Sequence, residues 1–164
     1  MTESLSEFVL LEGLKVRIGE EIDVSEWVQI KQDRIDAFAD CTSDEQWIHT
    51  DPGLASKGPF GATIAHGYLL LSLLVMMSGW MKITTGNMAV INYGLNKVRF
   101  LTPVKVDSTI RNHAVLKQVQ ERRGRILITT ENTIEIKGEQ RPALVAETLT
   151  MFLSDRESLN SQSE

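Results

Sequence analysis

The chain has 164 residues, 42% hydrophobic and 24% charged, with 17 Lys and Arg against 22 Asp and Glu for a net charge of -5. That is the size and balance of one globular domain able to bury its own core, which excludes a disordered or collagen-like chain. The acidic balance offers no overall positive field to nucleic acid or an anionic membrane surface, so any anion must be bound by a local patch.

Residues 1–7 are polar and read as a loose tail. Met1-Thr2-Glu3-Ser4 has neither the positive region nor the long apolar stretch of a secretory signal, and the one cysteine, Cys41, has no intramolecular disulfide partner. A reducing cytoplasm is therefore the expected setting. From Gln32 to Thr42 the positions Ile35, Phe38, Ala39 and Thr42 follow an i, i+3, i+4, i+7 spacing, which predicts a short amphipathic helix. Asp44 to Pro59 carries Asp51-Pro52-Gly53 and Gly58-Pro59, breakers that predict a loop with one helical turn.

Residues 67–81 are apolar on nearly all sides. As a helix they reach about 22 Å, short of the ~30 Å hydrocarbon layer, so no membrane insertion is expected. The run predicts a helix buried inside the protein.

After Gly86-Asn87 the texture turns to strand, in runs Met88–Tyr93, Lys97–Leu101, Thr109–Val119, Arg125–Lys137 and Ala143–Leu153. In the fourth, Ile126, Ile128, Ile134 and Ile136 face one way, while Arg125, Thr129, Glu131, Thr133, Glu135 and Lys137 face the other. Turns at Gly124 and Lys137-Gly138-Glu139-Gln140 make the last three runs an antiparallel meander. Strands of this length, about twice the usual, must twist and coil around whatever they cover, and the apolar helix is the candidate filler. The expected fold is α+β: a single hot dog domain whose long curved antiparallel sheet wraps a central apolar helix. Strand order does not follow from periodicity. Residues 154–164 read as a second loose tail, and no linker or repeat divides the chain between the two tails.

The chemistry-bearing residues are few. His49, His66, His113 and Cys41 show no metal-ligand spacing, and there is no phosphate-cradling glycine loop or GxSxG elbow, so neither a metal nor a cofactor is expected. Cys41 at the end of its helix reads as a packed or inert thiol rather than a nucleophile paired with His49. Asp44 and His49 would stand about 140° apart on a continued helix, but a loop bent by Pro52-Gly53 can aim both at one cavity. There a carboxylate and an imidazole can hold a water, take its proton and return one elsewhere. Spacing alone leaves open that Asp44 is a backbone cap and His49 a hydrogen-bonded loop side chain.

Ala65-His66-Gly67 precedes the apolar helix, which places the Gly67 N–H among the unpaired donors at a helix N-terminus, where the dipole favours negative charge. Glycine there also admits close approach of a ligand. Tight packing for Gly67 and a structural hydrogen bond for His66 are the open alternatives. An acid/base pair plus an N–H facing developing oxyanion charge is what proton chemistry beside a carbonyl requires.

Phe38 through Pro52 resembles the hydratase signature of the MaoC-like (R)-specific enoyl-CoA hydratases, an Asp-x-Asn-Pro-x-His run preceded by Gly. Gly58-Pro-Phe-Gly61-x-x-Ile64-Ala-His66-Gly67-Tyr68 resembles the family's second block, and Asn92-Tyr93-Gly94-Leu95-Asn96-Lys97-Val98-Arg99-Phe100 its third. The similarity covers residues 20–153, and the Gln-Trp-Ile-His version is similar to the nodulation protein N-like branch. By position, the resemblance implies that Asp44 and His49 activate water and that the Gly67 N–H binds the thioester oxygen.

Three positions depart from the family pattern: Ser43 stands for Gly, Gln46 for Asn and Trp47 for Pro. Gln46 keeps an amide and Trp47 adds an apolar wall, so the departures bear on substrate fit more than on the reaction. The implied activity is that of a hydro-lyase of fatty acid metabolism, which adds water reversibly and syn across a trans-2-enoyl thioester to give the (R)-3-hydroxyacyl thioester. Tyr68, Trp47 and Met76 are candidates for the acyl wall, with plain core as the alternative for each.

The implied substrate is an acyl-CoA or acyl-carrier thioester. For CoA phosphates, Lys97, Arg99 and Lys105 lie nearest the third block, whereas Arg122, Arg123 and Arg125 read as a solvated hairpin cluster. The resemblance also implies a homodimer or dimer of dimers. The competing activities are a hot dog acyl-CoA thioesterase, which would release a thiol instead of consuming the conjugated double bond, and a non-catalytic acyl-thioester binding protein. The presence of both Asp44 and His49 speaks against the second.

Overall fold

The computed structural model describes residues 12–78, 89–122 and 125–153. The tails expected at 1–7 and 154–164, the break at Gly86-Asn87 and the turn at Gly124 lie outside the described residues. Six strands form one antiparallel sheet: β1 (Glu21–Val24), β2 (Val28–Gln29), β3 (Ala89–Phe100), β4 (Thr109–Arg122), β5 (Arg125–Ile136) and β6 (Leu144–Leu153). Their order is β1-β4-β5-β6-β3, with β2 also on β4, so β3 forms an edge. Beside them run helices α1 (Gln32–Thr42), α2 (Trp47–Thr50), α3 (Pro52–Ala55) and α4 (Gly67–Met77).

The meander β4-β5-β6 and the helix over 32–42 are as expected; α1 buries Ile35 and Ala39 and ends where Ser43 takes a left-handed φ of 58°. The two runs expected over Met88–Tyr93 and Lys97–Leu101 merge, from Ala89 to Phe100, into one strand, β3; Met88 lies outside the described residues. Its register on β6 slips between Asn92 and Gly94 and again between Leu95 and Lys97, and these bulges break the two-residue alternation that marks a strand in sequence. The strand expected over Thr109–Val119 runs on to Arg122. Strands β1 and β2, of 4 and 2 residues, are too short to carry any alternation and were not expected.

The segment 44–59 holds two short helices rather than one turn. Pro52 opens α3, and the Asp51 carboxylate accepts from Leu54 N at 2.9 Å as its cap.

Helix α4 lies against one sheet face, where Leu69, Leu70, Leu74 and Met77 pack with Ile35, Val104, Ile110, Ile134, Ile136 and Leu144, the hot dog arrangement. Each such side chain contributes about 1.5–3 kcal/mol when buried, so α4 cannot roll or slide without loss and its first residue is held in place. Burial on all sides does not hold, because Tyr68 is 68%, Val75 41% and Met76 53% exposed. Among the described residues, no helix is long and apolar enough to cross a membrane.

Candidate active site

Two clamps build the site. Residues 63–65 are tied to the segment before β4, through Ala65 N to Val104 O at 2.8 Å and Val106 N to Thr63 O at 2.9 Å, and Ile64 N donates to Ile48 O at 3.0 Å. The start of α4 and helix α2 are thereby held side by side, though far apart in sequence.

The second clamp is Gln32. Its amide donates to His49 O at 2.7 Å and to the Asp36 carboxylate at 2.8 Å, while its oxygen accepts from the Thr63 hydroxyl at 2.5 Å. Sequence reasoning missed Gln32, since a glutamine at a helix start carries no signal of what it reaches. Replacing Gln32 by Ala strands the Thr63 hydroxyl, which is 1% exposed. A loss of about 1–3 kcal/mol, read as a lower urea midpoint at unchanged slope, is the expected result.

Within this frame an Asp44 carboxylate oxygen and one ring nitrogen each of His49 and His66 lie within 4.8 Å of one another. Asp44 is exposed, whereas His49 and His66 are 7% and 2% exposed. His49 Nδ1 sits 2.6 Å from Ile64 O; a carbonyl only accepts, so Nδ1 carries the proton and the neutral ring keeps Nε2 as an acceptor.

Burial is the main influence on His49 and pushes its pKa below the ordinary value; the bond to Ile64 O opposes this, the neighbouring His66 adds to it, and the Asp44 charge pulls back up. His66 Nε2 donates to Asp44 O at 2.9 Å, and its buried Nδ1 has no partner among the described residues. The two imidazoles stack with centroids 3.7 Å apart and planes inclined by 26°, and Phe38 packs on His66 at 5.1 Å.

Asp44, His49 and His66 are also the residues that could hold a metal, which local spacing did not reveal because His66 comes from a different element. The ring lone pairs lie in the ring planes. Planes inclined by 26° and stacked at 3.7 Å meet too far out for one ion to lie in both at about 2.0–2.1 Å from each nitrogen. The geometry suits proton chemistry better than ligation.

Gly67 opens α4, and among the described residues its N–H has no acceptor. A Cβ there would meet Phe100 ring carbons at 3.0 and 3.1 Å, so tight packing is real at this half-buried position. The side chains of Gln46 and Trp47 are exposed; the Gln46 carbonyl accepts from His49 N at 2.8 Å, and the Trp47 ring lies where a Cβ on Gly58 would meet it at 2.9 Å. Tyr68 stands edge-on to Phe100, with centroids 5.9 Å apart. None of Trp47, Tyr68 and Met76 is plain core, being 41%, 68% and 53% exposed.

Cys41 is exposed, donates to Phe38 O at 3.3 Å and does not join the Asp44 cluster. His113 is elsewhere, between Glu135 and Glu21 at 2.8 Å each, and the bond to Glu135 is the main cause that raises its pKa. Of the basic residues, Lys97, Arg99 and Lys105 are exposed, and Lys105 forms a bridge with Ile64 beside the site. Arg125 is engaged with a partner, and Arg123 lies outside the described residues.

The profile of the MaoC like domain matches residues 14–137. The 3-hydroxyacyl-thioester dehydratase Z of Mycobacterium tuberculosis (strain ATCC 25618 / H37Rv) is 42% identical over 148 residues, covering 90% of this chain and 98% of that protein. Nodulation protein N of Rhizobium leguminosarum bv. viciae is 49% identical over 143 residues, 85% of this chain and 88% of that one. The solved (R)-hydratase from A. caviae involved in PHA biosynthesis shares the fold, with a TM-score of 0.61 at 24% identity over 79% of this chain and 96% of that one. A profile match over most of the sequence, and relatives aligned along nearly their full length, place the chain in the MaoC-like domain family.

Proposed function

We propose that the protein is an (R)-specific enoyl-thioester hydratase, equally a 3-hydroxyacyl-thioester dehydratase, and thus a hydro-lyase of fatty acyl metabolism. The convergence of the Asp44 carboxylate with a buried His49 whose Nε2 is a free acceptor carries this reading. The two groups hold a water between them. As its oxygen bonds to the β-carbon, one of the pair takes its proton, and the double-bond electrons move toward the thioester oxygen.

The Gly67 N–H receives that charge, a contribution of about 2.7–4 kcal/mol by analogy with other oxyanion donors. A proton returned to the α-carbon from the same face completes syn addition, with water fully accounted for and the thioester intact. Gln46, Trp47 and Tyr68, exposed around the cluster, serve as substrate contacts, and no cofactor takes part in this scheme.

The acyl group is carried by CoA or an acyl carrier, with Lys105 the cation best placed for a phosphate. A second copy is the expected partner. The edge strand β3 exposes Ile91 (43%), Tyr93 (55%) and Leu95 (47%), and an apolar edge of this length calls for cover, which antiparallel pairing with another β3 supplies. We read the chain as one cytoplasmic domain acting as a homodimer or dimer of dimers. Purified protein given a trans-2-enoyl-CoA is expected to bleach the enoyl absorbance without releasing thiol. Thiol release would make it a thioesterase, and an inert substrate would leave a binding protein.

A further inference from the structure

Beyond the first turn of α4, the helix and the β3–β6 side of the sheet border a half-open cavity of about 290 Å³. Its lining is mixed. Leu71, Leu74 and Val75 of α4 are apolar beside Ser72 and Ser78, and the sheet adds Leu95 and Leu149 but sets Asn92, Asn132, Thr148 and Thr150 among them. The polar patch on the sheet is a built feature.

Along β5 the core-facing row reads Ile126, Ile128, Thr130, Asn132, Ile134, Ile136, and the polar pair falls between Ile126 and Ile128, which pack around Leu14 and Phe152, and Ile134 and Ile136, which pack against α4. Asn132 is 1% exposed and fully engaged from behind: its amide donates to Thr130 O at 3.2 Å and Thr148 Oγ1 at 3.0 Å, and its oxygen accepts from Asn112 Nδ2 at 3.0 Å. Thr150, 6% exposed, lines the cavity with a hydroxyl that has no partner among the described residues, and the Asn92 amide is likewise free.

A plain alkyl tail laid on this floor would leave those groups unpaired, which disfavours it; a tail with its own oxygen would pair them. We propose that the cavity takes the acyl tail and selects tails carrying a mid-chain hydroxyl or keto oxygen over unsubstituted ones. This rests on the hydratase reading above. Leu71 and Val75 lie about 6–12 Å along α4 from Gly67 at ~1.5 Å per residue. An extended chain advances about 1.2 Å per bond, which puts the selected oxygen roughly five to ten carbons from the thioester.

The test compares kcat/KM of the full chain on trans-2-decenoyl-CoA and its 8-hydroxy derivative, with crotonyl-CoA, too short to reach the cavity, as the reference substrate. The wild type is expected to favour the hydroxylated chain by about tenfold. Thr150→Val, which keeps the shape and removes the hydroxyl, is expected to bring the ratio near one, and Asn92→Ala to lower it in part. Asn92 is exposed, so its variant decides the matter should the Thr150 variant fail to fold. A wild-type ratio of one or less, or a ratio unchanged in both variants, overturns the inference while crotonyl-CoA is still hydrated. No hydration of crotonyl-CoA by the wild type overturns the parent reading, and this one with it.

Discussion

Asp44→Asn and His49→Ala are each expected to slow hydration of a trans-2-enoyl-CoA by about 10²- to 10⁴-fold, the range for an acid/base group. Asn keeps the size and an acceptor oxygen of Asp44 but can neither carry charge nor take a proton. His49→Ala removes the acceptor Nε2, the donor to Ile64 O and the ring stacked on His66. The pH profile separates chemistry from packing.

Because burial holds His49 below its ordinary value of 6.5, the ring stays neutral, and able to accept a proton, down to a pH under 6.5, and the acid limb of kcat/KM is expected there. The Asp44 charge pulls the His49 pKa upward, so residual activity in Asp44→Asn should show that limb moved to still lower pH. The same depression means the unfolded chain binds the proton more readily. Stability should therefore rise with pH from the folded pKa of His49 up to 6.5, and His49→Ala should lose that contribution. Rates equal to wild type in both variants would assign the water to other groups.

The second large effect is expected of Gly67→Ala, a drop of about 10² in kcat from displacing or covering the N–H. The added methyl would lie 3.0–3.1 Å from Phe100 ring carbons, an overpacking that costs about 1–3 kcal/mol of stability. Phe100 is 47% exposed and so has room to be removed. Adding Phe100→Ala should restore the melting temperature while the rate stays low, because the methyl still narrows the approach of a thioester to the backbone there. Full recovery of rate in the double variant would show that Gly67 matters only through packing.

Much of this was legible before any coordinates. The 3.6-residue spacing over Ile35, Phe38 and Ala39 and the alternation along β5 are local patterns, and both elements form where they predict. The failures have local causes too. Bulges at Asn92/Gly94 and Leu95/Lys97 erased the alternation of β3, and β1 and β2 are too short to show any. Asp44 and His49 were readable as a pair because they share one loop, while Gln32 and His66, from other elements, were not readable as its supports.

By itself, then, the sequence determined the elements, the apolar rod and the candidate acid/base pair, since each follows from residues within a few positions of one another. Only the tertiary structure decided that His66 stacks on His49, that Ile64 O sets the His49 tautomer and that Gln32 ties three segments together. It also decided that one face of α4 stays exposed, beside a cavity whose sheet wall sets Asn92, Asn132, Thr148 and Thr150 among apolar residues. These depend on which faces meet across long stretches of chain, and sheet register and side-chain packing settle that where no local pattern can.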